Sequence, residues 1–428
     1  MLLKNVFTLI STRRKVVKFL KYYLIALLLQ TTVMGQTQLP VWQKGFLDIH
    51  FISTGRGNAA FYLLPDGTSL LVDMGELPSG KDGRGSPAVP DSSKSAAQWV
   101  ADYIHHFHPQ GNQAVLDYVL ITHYHGDHMG SAREAQRTHP EGKYKIFGIT
   151  ELGSIVPMRK LIDRGYDHPL DLRESAKETR SGSMRGVNQF EDYWKFIEYQ
   201  KKSNGLVYEK FRVGSVTQLH LTNGQEFPHF TIKNLFANGD VAGIYDTTVA
   251  VRKFKKGELV DENNLSCGIK ISYGKFDLYT GGDIPGIGHT GATDFFSMES
   301  YAAPVIGQVD VATLNHHGNR DSQNEYFVRT LQPRVWIGQS WTVRHPGEEV
   351  VRRITSRLVY PGDRDLFTNF LHPANQTFLG SMAEEHYKST SGHIVLRVQA
   401  KGDQYDIFIL DDKTTERSVL KQFKYGSR

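Results

Sequence analysis

Thr122-His123-Tyr124-His125-Gly126-Asp127-His128 is the stretch on which the reading of this chain turns. Residues 115–121 before it form a short apolar run, which predicts a buried strand. Loops that follow strand ends are where α/β folds place ligands. In an extended turn, residues i and i+2 project the same way, so His123 and His125 can converge on one ion. Asp127 and His128 can then face a second ion, at the ~3.5–4 Å separation of two-metal hydrolases. Imidazole nitrogen and carboxylate oxygen suit zinc. His105, His106 and His108 make the contrast. They fall on a predicted helix without a carboxylate partner and read as solvated or partly packed.

Two sites downstream share this local logic. A predicted strand at 276–280 runs into Gly281-Gly282-Asp283, where the glycines admit a close backbone approach and a lone carboxylate can bridge two cations. A predicted strand at 309–314 enters Asn315-His316-His317-Gly318, and either His316 or His317 can supply an imidazole. Upstream, strands at 46–51 and 59–64 flank the turn Ser53-Thr54-Gly55-Arg56-Gly57-Asn58. Asp66-Gly67 supplies the positive φ of a tight hairpin, and the return strand 69–73 ends at Asp73. Asp73 is a candidate for fixing the tautomer of a ligand imidazole. Ala96, Trp99, Val100, Tyr103, Ile104 and Phe107 recur at helical spacing, so 94–108 reads as an amphipathic helix stopped by Pro109. A second helix is predicted at 188–202. Further strands are predicted at 230–237, 266–273 and 335–338, with a hairpin at 393–398 and 405–410. Strands and helices mix in both halves, which predicts an α/β sandwich.

These motifs resemble the metallo-β-lactamase superfold across about 46–345. Within it, the finer likeness is to the branch of the competence DNA-internalisation proteins and phosphorylcholine esterase. That branch opens with an acidic Gly-rich turn, a Pro-Asp-Gly hairpin and a strand ending in Asp, matched here by 53–58, Pro65-Asp66-Gly67 and Asp73. Its Asn-x-Ser before Thr-Gly-Asp is matched by Asn263-Asn264-Leu265-Ser266. Ser53 and Asn58 replace the two acids of the opening turn. The resemblance implies an αββα four-layer sandwich with two zinc ions, Mn or Fe being alternatives. His123 and His125 would bind the first ion. Asp127, His128 and one of His316 or His317 would bind the second, with Asp283 bridging. Asp127 would also orient the attacking water and take its proton. A third histidine for the first ion is expected between 128 and 283, where Asn238 stands at the matching strand end. His168, His220 and His229 are the alternatives.

The chain has 428 residues, 39% apolar and 22% charged, which excludes a disordered chain. A single cysteine, Cys267, excludes an intramolecular disulfide framework and a Cys-rich zinc module. Residues 1–35 hold six of the 50 Lys and Arg and no acid, leaving 44 bases against 45 acids. A near-neutral remainder gives no argument for a nucleic-acid or membrane-surface partner, and a small-molecule substrate is expected. The order within 1–35 is basic at 13–21, apolar at 24–29, then small, which predicts a signal peptide cut after Gly35. The mature chain is then exported, to the periplasm or beyond, without stable membrane insertion. The expected organisation is a catalytic domain at 36–345 with an insert at about 129–229, and a β-rich extension at 346–428 packed on it. The expected activity is hydrolysis by a metal-activated hydroxide, on a phosphoester by branch analogy. An amide, lactone or β-lactam substrate is the enzymatic alternative. A metal-binding protein without turnover is the alternative from another class.

Overall fold

The computed structural model describes residues 38–428 apart from 56, 78–82, 133–134, 169–170, 176–189, 244–247, 251–259 and 289. The leader expected at 1–35 lies outside the described residues. In β1 (Leu47–Phe51), Leu47, Ile49 and Phe51 point to one face and Asp48 and His50 to the other, as the two-residue period of a strand requires. β2 (Ala60–Leu63) and β3 (Ser69–Val72) continue it as an antiparallel meander. β4 (Leu116–Ile121), β5 (Met158–Asp163) and β6 (Val207–Lys210) then add on parallel to β3.

The second sheet starts from β7 (Phe230–Ala237), β8 (Asp240–Ala242) and β9 (Thr248–Ala250). β10 (Gly268–Tyr273) and β11 (Phe276–Gly281) form its central hairpin. β12 (Val311–Thr313), β13 (Val335–Gly338), β14 (Asp365–Thr368) and β15 (Tyr387–Ser389) extend it in parallel. The chain then returns to the first sheet with β16 (His393–Val398), β17 (Gln404–Leu410) and β18 (Val419–Gly426). Each sheet thus has nine strands among the described residues. Residues 346–428 supply strands to both.

Leu47, Ile49 and Phe51 meet Ile269, Ile271 and Leu278 in the core between the sheets. Helices cover the outer faces. α1 (Ala96–Phe107), α2 (Gly148–Ile155) and α3 (Phe190–Asn204) pack on Phe61, Leu63 and Val119 of the first sheet. α4 (Met298–Ile306), α5 (Glu325–Leu331) and α6 (Glu348–Thr355) pack on Leu235, Tyr279 and Trp336 of the second. The order is helix, sheet, sheet, helix, the expected four-layer sandwich. Ser95 caps α1 reciprocally with Gln98, so the helix starts at Ala96, the first residue of the apolar period, two residues after the expected start at 94. Among the described residues no helix is long and apolar enough to cross a membrane.

Asp48 and Arg397 form a buried ion pair in this scaffold. Asp48 on β1 and Arg397 on β16 are direct cross-strand partners. The Arg397 Nε donates to Asp48 Oδ1 at 2.8 Å and Nη2 to Oδ2 at 2.5 Å, both residues being almost fully buried. Burial pushes the Asp48 carboxyl up, and Arg397 with His50 more than reverses this, so it lies below its ordinary value. Removing one member strands the other without solvent. Arg397→Met is expected to cost ~3–5 kcal/mol in a urea titration. Adding Asp48→Leu is expected to restore most of that loss.

Candidate metal centre

Four strand ends meet at one edge of the sandwich, because β3, β4, β11 and β12 all finish on that side. Asp73 follows β3, the 122–128 turn follows β4, Asp283 follows β11, and Asn315–Gly318 follows β12. Residues separated by almost two hundred positions therefore come within bonding range of one point.

His123 Nε2 lies 3.1 Å from His125 Nδ1 and 3.8 Å from Asp283 Oδ2. On the other side of Asp283, its Oδ1 lies 3.2 Å from His128 Nε2. His317 Nε2 stands 3.4 Å from Asp283 Oδ2, 3.2 Å from Asp127 Oδ2 and 3.3 Å from His128 Nε2. The ligand atoms form two sets, each within 4.8 Å: Asp127, His128, Asp283 and His317 in one, His123, His125 and Asp283 in the other. Donors ~2.0–2.2 Å from a tetrahedral ion stand roughly 3.3–3.6 Å from one another, so these spacings suit divalent cations. Asp283 belongs to both sets.

His316 and His317 do different things. His317 enters the set of Asp127 and His128. His316 is turned so that its Nδ1 meets Asp321 Oδ1 at 2.7 Å and its Nε2 meets the Asn263 and Asn319 side-chain amides at 3.3 Å. It stays 3.9 Å from Asp283 Oδ2 and belongs to neither set. Both histidines have positive φ, 48° and 55°, and it is this double left-handed turn that sends neighbouring imidazoles in different directions. Asn238 does not join the set of His123 and His125. Its Nδ2 donates to the Arg164 carbonyl at 2.5 Å. His220 faces Tyr118 at 3.3 Å, and His168 and His229 are also outside both sets among the described residues. The set of His123 and His125 is completed by Asp283 alone among the described residues.

The ligands are braced from behind. Asp73 Oδ2 accepts from His128 Nδ1 at 2.7 Å, which leaves Nε2 free to face the cluster. The same carboxylate accepts from the Thr122 amide at 2.8 Å and the Thr122 hydroxyl at 2.9 Å. Asp73 itself has φ 63°, an orientation held by these three bonds. Ser266 Oγ accepts from the Asp283 amide at 3.0 Å, and a Cβ on Gly282 would meet that hydroxyl at 2.8 Å. The 53–58 turn acts through its backbone: the Asn58 amide donates to the Asp127 carbonyl at 2.8 Å. Ser53 Oγ instead donates to Asp412 at 2.7 Å.

Electrostatics follows the packing. Burial raises Asp283, but His128 and His317 beside it hold it well below the usual carboxylate range. Burial lowers His317, and Asp283 with Asp127 more than offsets that, to about 9. Burial, with His128 alongside, holds His123 well below its ordinary value.

Three supports were not visible in the sequence reading. Glu262 Oε1 accepts the Tyr124 amide at 3.0 Å inside the His123–His125 turn, and the same carboxylate pairs with buried Arg164 at 2.6 and 2.8 Å. His345 stacks on His317 at 4.5 Å. Glu299 on α4 takes hold of the His316–His317 loop from both flanks. Its Oε1 accepts from Asn315 Nδ2 at 2.8 Å and the Gln323 amide at 2.6 Å, and its Oε2 from the Asn324 amide at 2.7 Å. The nearest sequence signal is the Ser297 N-cap that starts α4 two residues earlier.

Residues 110–151 match the family profile described as the metallo-β-lactamase superfamily. The match supports that superfamily. It spans the turn carrying His123, His125, Asp127 and His128, and the two-sheet mixed α/β architecture is consistent with the metallo-β-lactamase fold. This fold implies divalent-metal binding, and the two His/Asp sets stand where such ions would be held. No curated protein matches the chain. Two solved structures resemble it distantly. One is a provisionally named metal-dependent hydrolase from Parabacteroides distasonis, 13% identical, covering 75% of this chain and 92% of that one at a TM-score of 0.31. The other is the metallo-β-lactamase fold protein YhfI from Bacillus subtilis, 14% identical, covering 81% and 95% at a TM-score of 0.34. Overlap at this level carries no role across.

Burial raises Glu299 from 4.5 to about 7, the three accepted hydrogen bonds notwithstanding. Between those values the folded chain keeps a proton that the unfolded chain has lost. The stability this group contributes is therefore complete below about 4.5 and drains away as pH rises to 7. In Glu299→Gln that slope is expected to vanish, read as the difference between wild-type and variant Tm across pH 4 to 8. Parallel curves would contradict the assignment.

Proposed function

We propose that this chain is an exported hydrolase that works with two divalent cations, zinc by its donor set, on a phosphoester substrate. The observation that carries the reading is Asp283, which belongs to both sets: its Oδ2 lies 3.8 Å from His123 Nε2 and 3.4 Å from His317 Nε2, and its Oδ1 lies 3.2 Å from His128 Nε2. His123 and His125 would hold the first ion, and Asp127, His128 and His317 the second, with Asp283 shared between them. Bound ions of this kind supply a water of lowered pKa and a positive charge opposite the group under attack.

The protein's own part is orientation. Asp73 keeps His128 in the tautomer that points Nε2 inward, and the Gln339 carbonyl does the same for His317 through Nδ1 at 2.9 Å. Asp127 stays ionised, because His317 and His128 outweigh its burial. Its carboxylate can accept a hydrogen bond from the attacking water and receive its proton. Asn263 and Asn319, gathered around His316, offer amide donors at the mouth of the site for a charged oxygen of the substrate. The phosphoester preference draws on the likeness of the 53–73 region and of Asn264-Leu265-Ser266 to the phosphoesterase branch.

The test uses purified residues 36–428, assayed for bound metal and for hydrolysis of bis-p-nitrophenyl phosphate against a chromogenic cephalosporin. The phosphodiester is expected to turn over and the cephalosporin not. Faster cleavage of the cephalosporin would move the assignment to amide chemistry. Equal rates for wild type and Asp127→Ala on both would leave a binding protein.

Asp283→Asn is expected to lower bound metal at both positions and kcat/KM by at least 10³-fold, since it removes charge from both sets. Asp73→Asn, one step removed from the ions, is expected to weaken metal affinity roughly 10- to 100-fold, measured by competition with a chelator.

A further inference from the structure

A groove of about 460 Å³ opens beside the metal centre, between the loop after His317 and the 343–348 turn, with helix α7 (Pro373–Leu379) as its far wall. Asn319 joins the two: it lines the groove while its side-chain amide meets His316 Nε2 at 3.3 Å. Two guanidinium groups line it, Arg320 and Arg344. Arg320 is not a random surface side chain. Its stem lies over Gly347, where a Cβ would meet Arg320 Cγ at 2.8 Å. Gly347 in turn donates its amide to the Gly318 carbonyl at 2.8 Å, next to the ligand loop. The Arg320 head keeps a loose pairing with Glu349 at 3.5 Å and is 75% exposed. Arg344 has no carboxylate partner among the described residues.

The one acid lining the groove, Glu348, is already engaged by Arg352 Nε at 2.9 Å. The positive charge of the two arginines is thus not cancelled from within. Phe378 closes the groove with a ring that is 74% exposed, which sets an apolar surface beside the two guanidinium groups. Asn375 on the same helix holds the wall in place, its Nδ2 donating to the His345 and Pro346 carbonyls at 3.2 and 3.0 Å. An arginine fork fits a carboxylate or phosphate in a bidentate manner, which a point charge does not.

We propose that this groove binds a second anionic group of the substrate, a carboxylate or terminal phosphate distant from the scissile bond, held by Arg320 and Arg344 with Phe378 against the carbon skeleton that carries it. The inference rests on the hydrolase reading and narrows its substrate class to esters bearing a remote negative charge.

The experiment compares two p-nitrophenyl phosphodiesters that differ only in their second group, propyl in one and carboxyethyl in the other. Wild type is expected to favour the carboxyethyl ester in kcat/KM by about tenfold or more. Arg344→Gln is expected to bring the ratio close to one, and Arg344→Lys to keep part of it, with metal content unaltered. A third ester with a terminal phosphate separates the two anion types, and a preference for either supports the groove. Calorimetric binding of the propyl and carboxyethyl esters to metal-loaded protein is measured in parallel. Preferential binding of the carboxyethyl ester that is lost in Arg344→Gln, without turnover, would uphold the groove and sink the hydrolase. Turnover of both esters at equal efficiency, or a preference unchanged in Arg344→Gln, would overturn the groove and leave the hydrolase standing.

Discussion

Asp283 is the interaction on which the edge of this sandwich depends. It is a buried carboxylate within 4 Å of His123, His128, His316 and His317, and it comes from the second sheet while two of those imidazoles come from the first. A lone buried carboxylate is costly unless it is paired. Here the pairing is made by side chains from two separate sheets, so the same contacts that relieve the charge also lock the sheets in register at the site. The site and the packing of the two halves are one problem with one solution.

The bracing around it follows a consistent pattern. Each ligand segment is held by an acid or a carbonyl that is not itself a ligand candidate. Asp73 serves His128, Glu262 serves the backbone of the His123–His125 turn, Gln339 serves His317, and Glu299 serves the loop that carries His316 and His317. Two of these are buried against their electrostatic preference, the raised Glu299 and Asp73, burial being the main cause in both. The fold accepts that cost where it fixes the direction of an imidazole. On the hydrolase reading, a misplacement of 1 Å at such a centre costs on the order of 10²-fold in rate.

Around the centre, the exposed face is built differently. Arg320, Arg344 and Phe378 are solvent-facing, and the carboxylates near the two arginines are few or already engaged. A dry, rigid, acid-and-imidazole interior beside a wet, cationic and aromatic rim divides the labour. On the proposed reading, the interior would position the reacting atoms and the rim would choose what comes to them.

The local sequence was enough for the elements whose signal is periodic or punctuated. The apolar spacing of 96–107, the run before Thr122, the Asp66-Gly67 turn and the 393–410 hairpin all appear within a residue or two of their expected bounds. The HxHxDH spacing also named four of the side chains that meet at this edge, since positions within one turn are set by local geometry. Among the features that needed the tertiary structure, three show why. β18 was missed because most of its side chains are exposed, so its place comes from pairing with β17 and not from an apolar pattern. The division of roles between His316 and His317 depends on two consecutive left-handed residues, which no spacing announces. Glu262 and Glu299 look like ordinary surface acids in the sequence; only burial and the amides that close on them, from chain segments up to 138 residues away, make them supports. A motif records which atoms can meet an ion, whereas the sheets decide which of them do, because the direction of a side chain is a property of the whole packed edge.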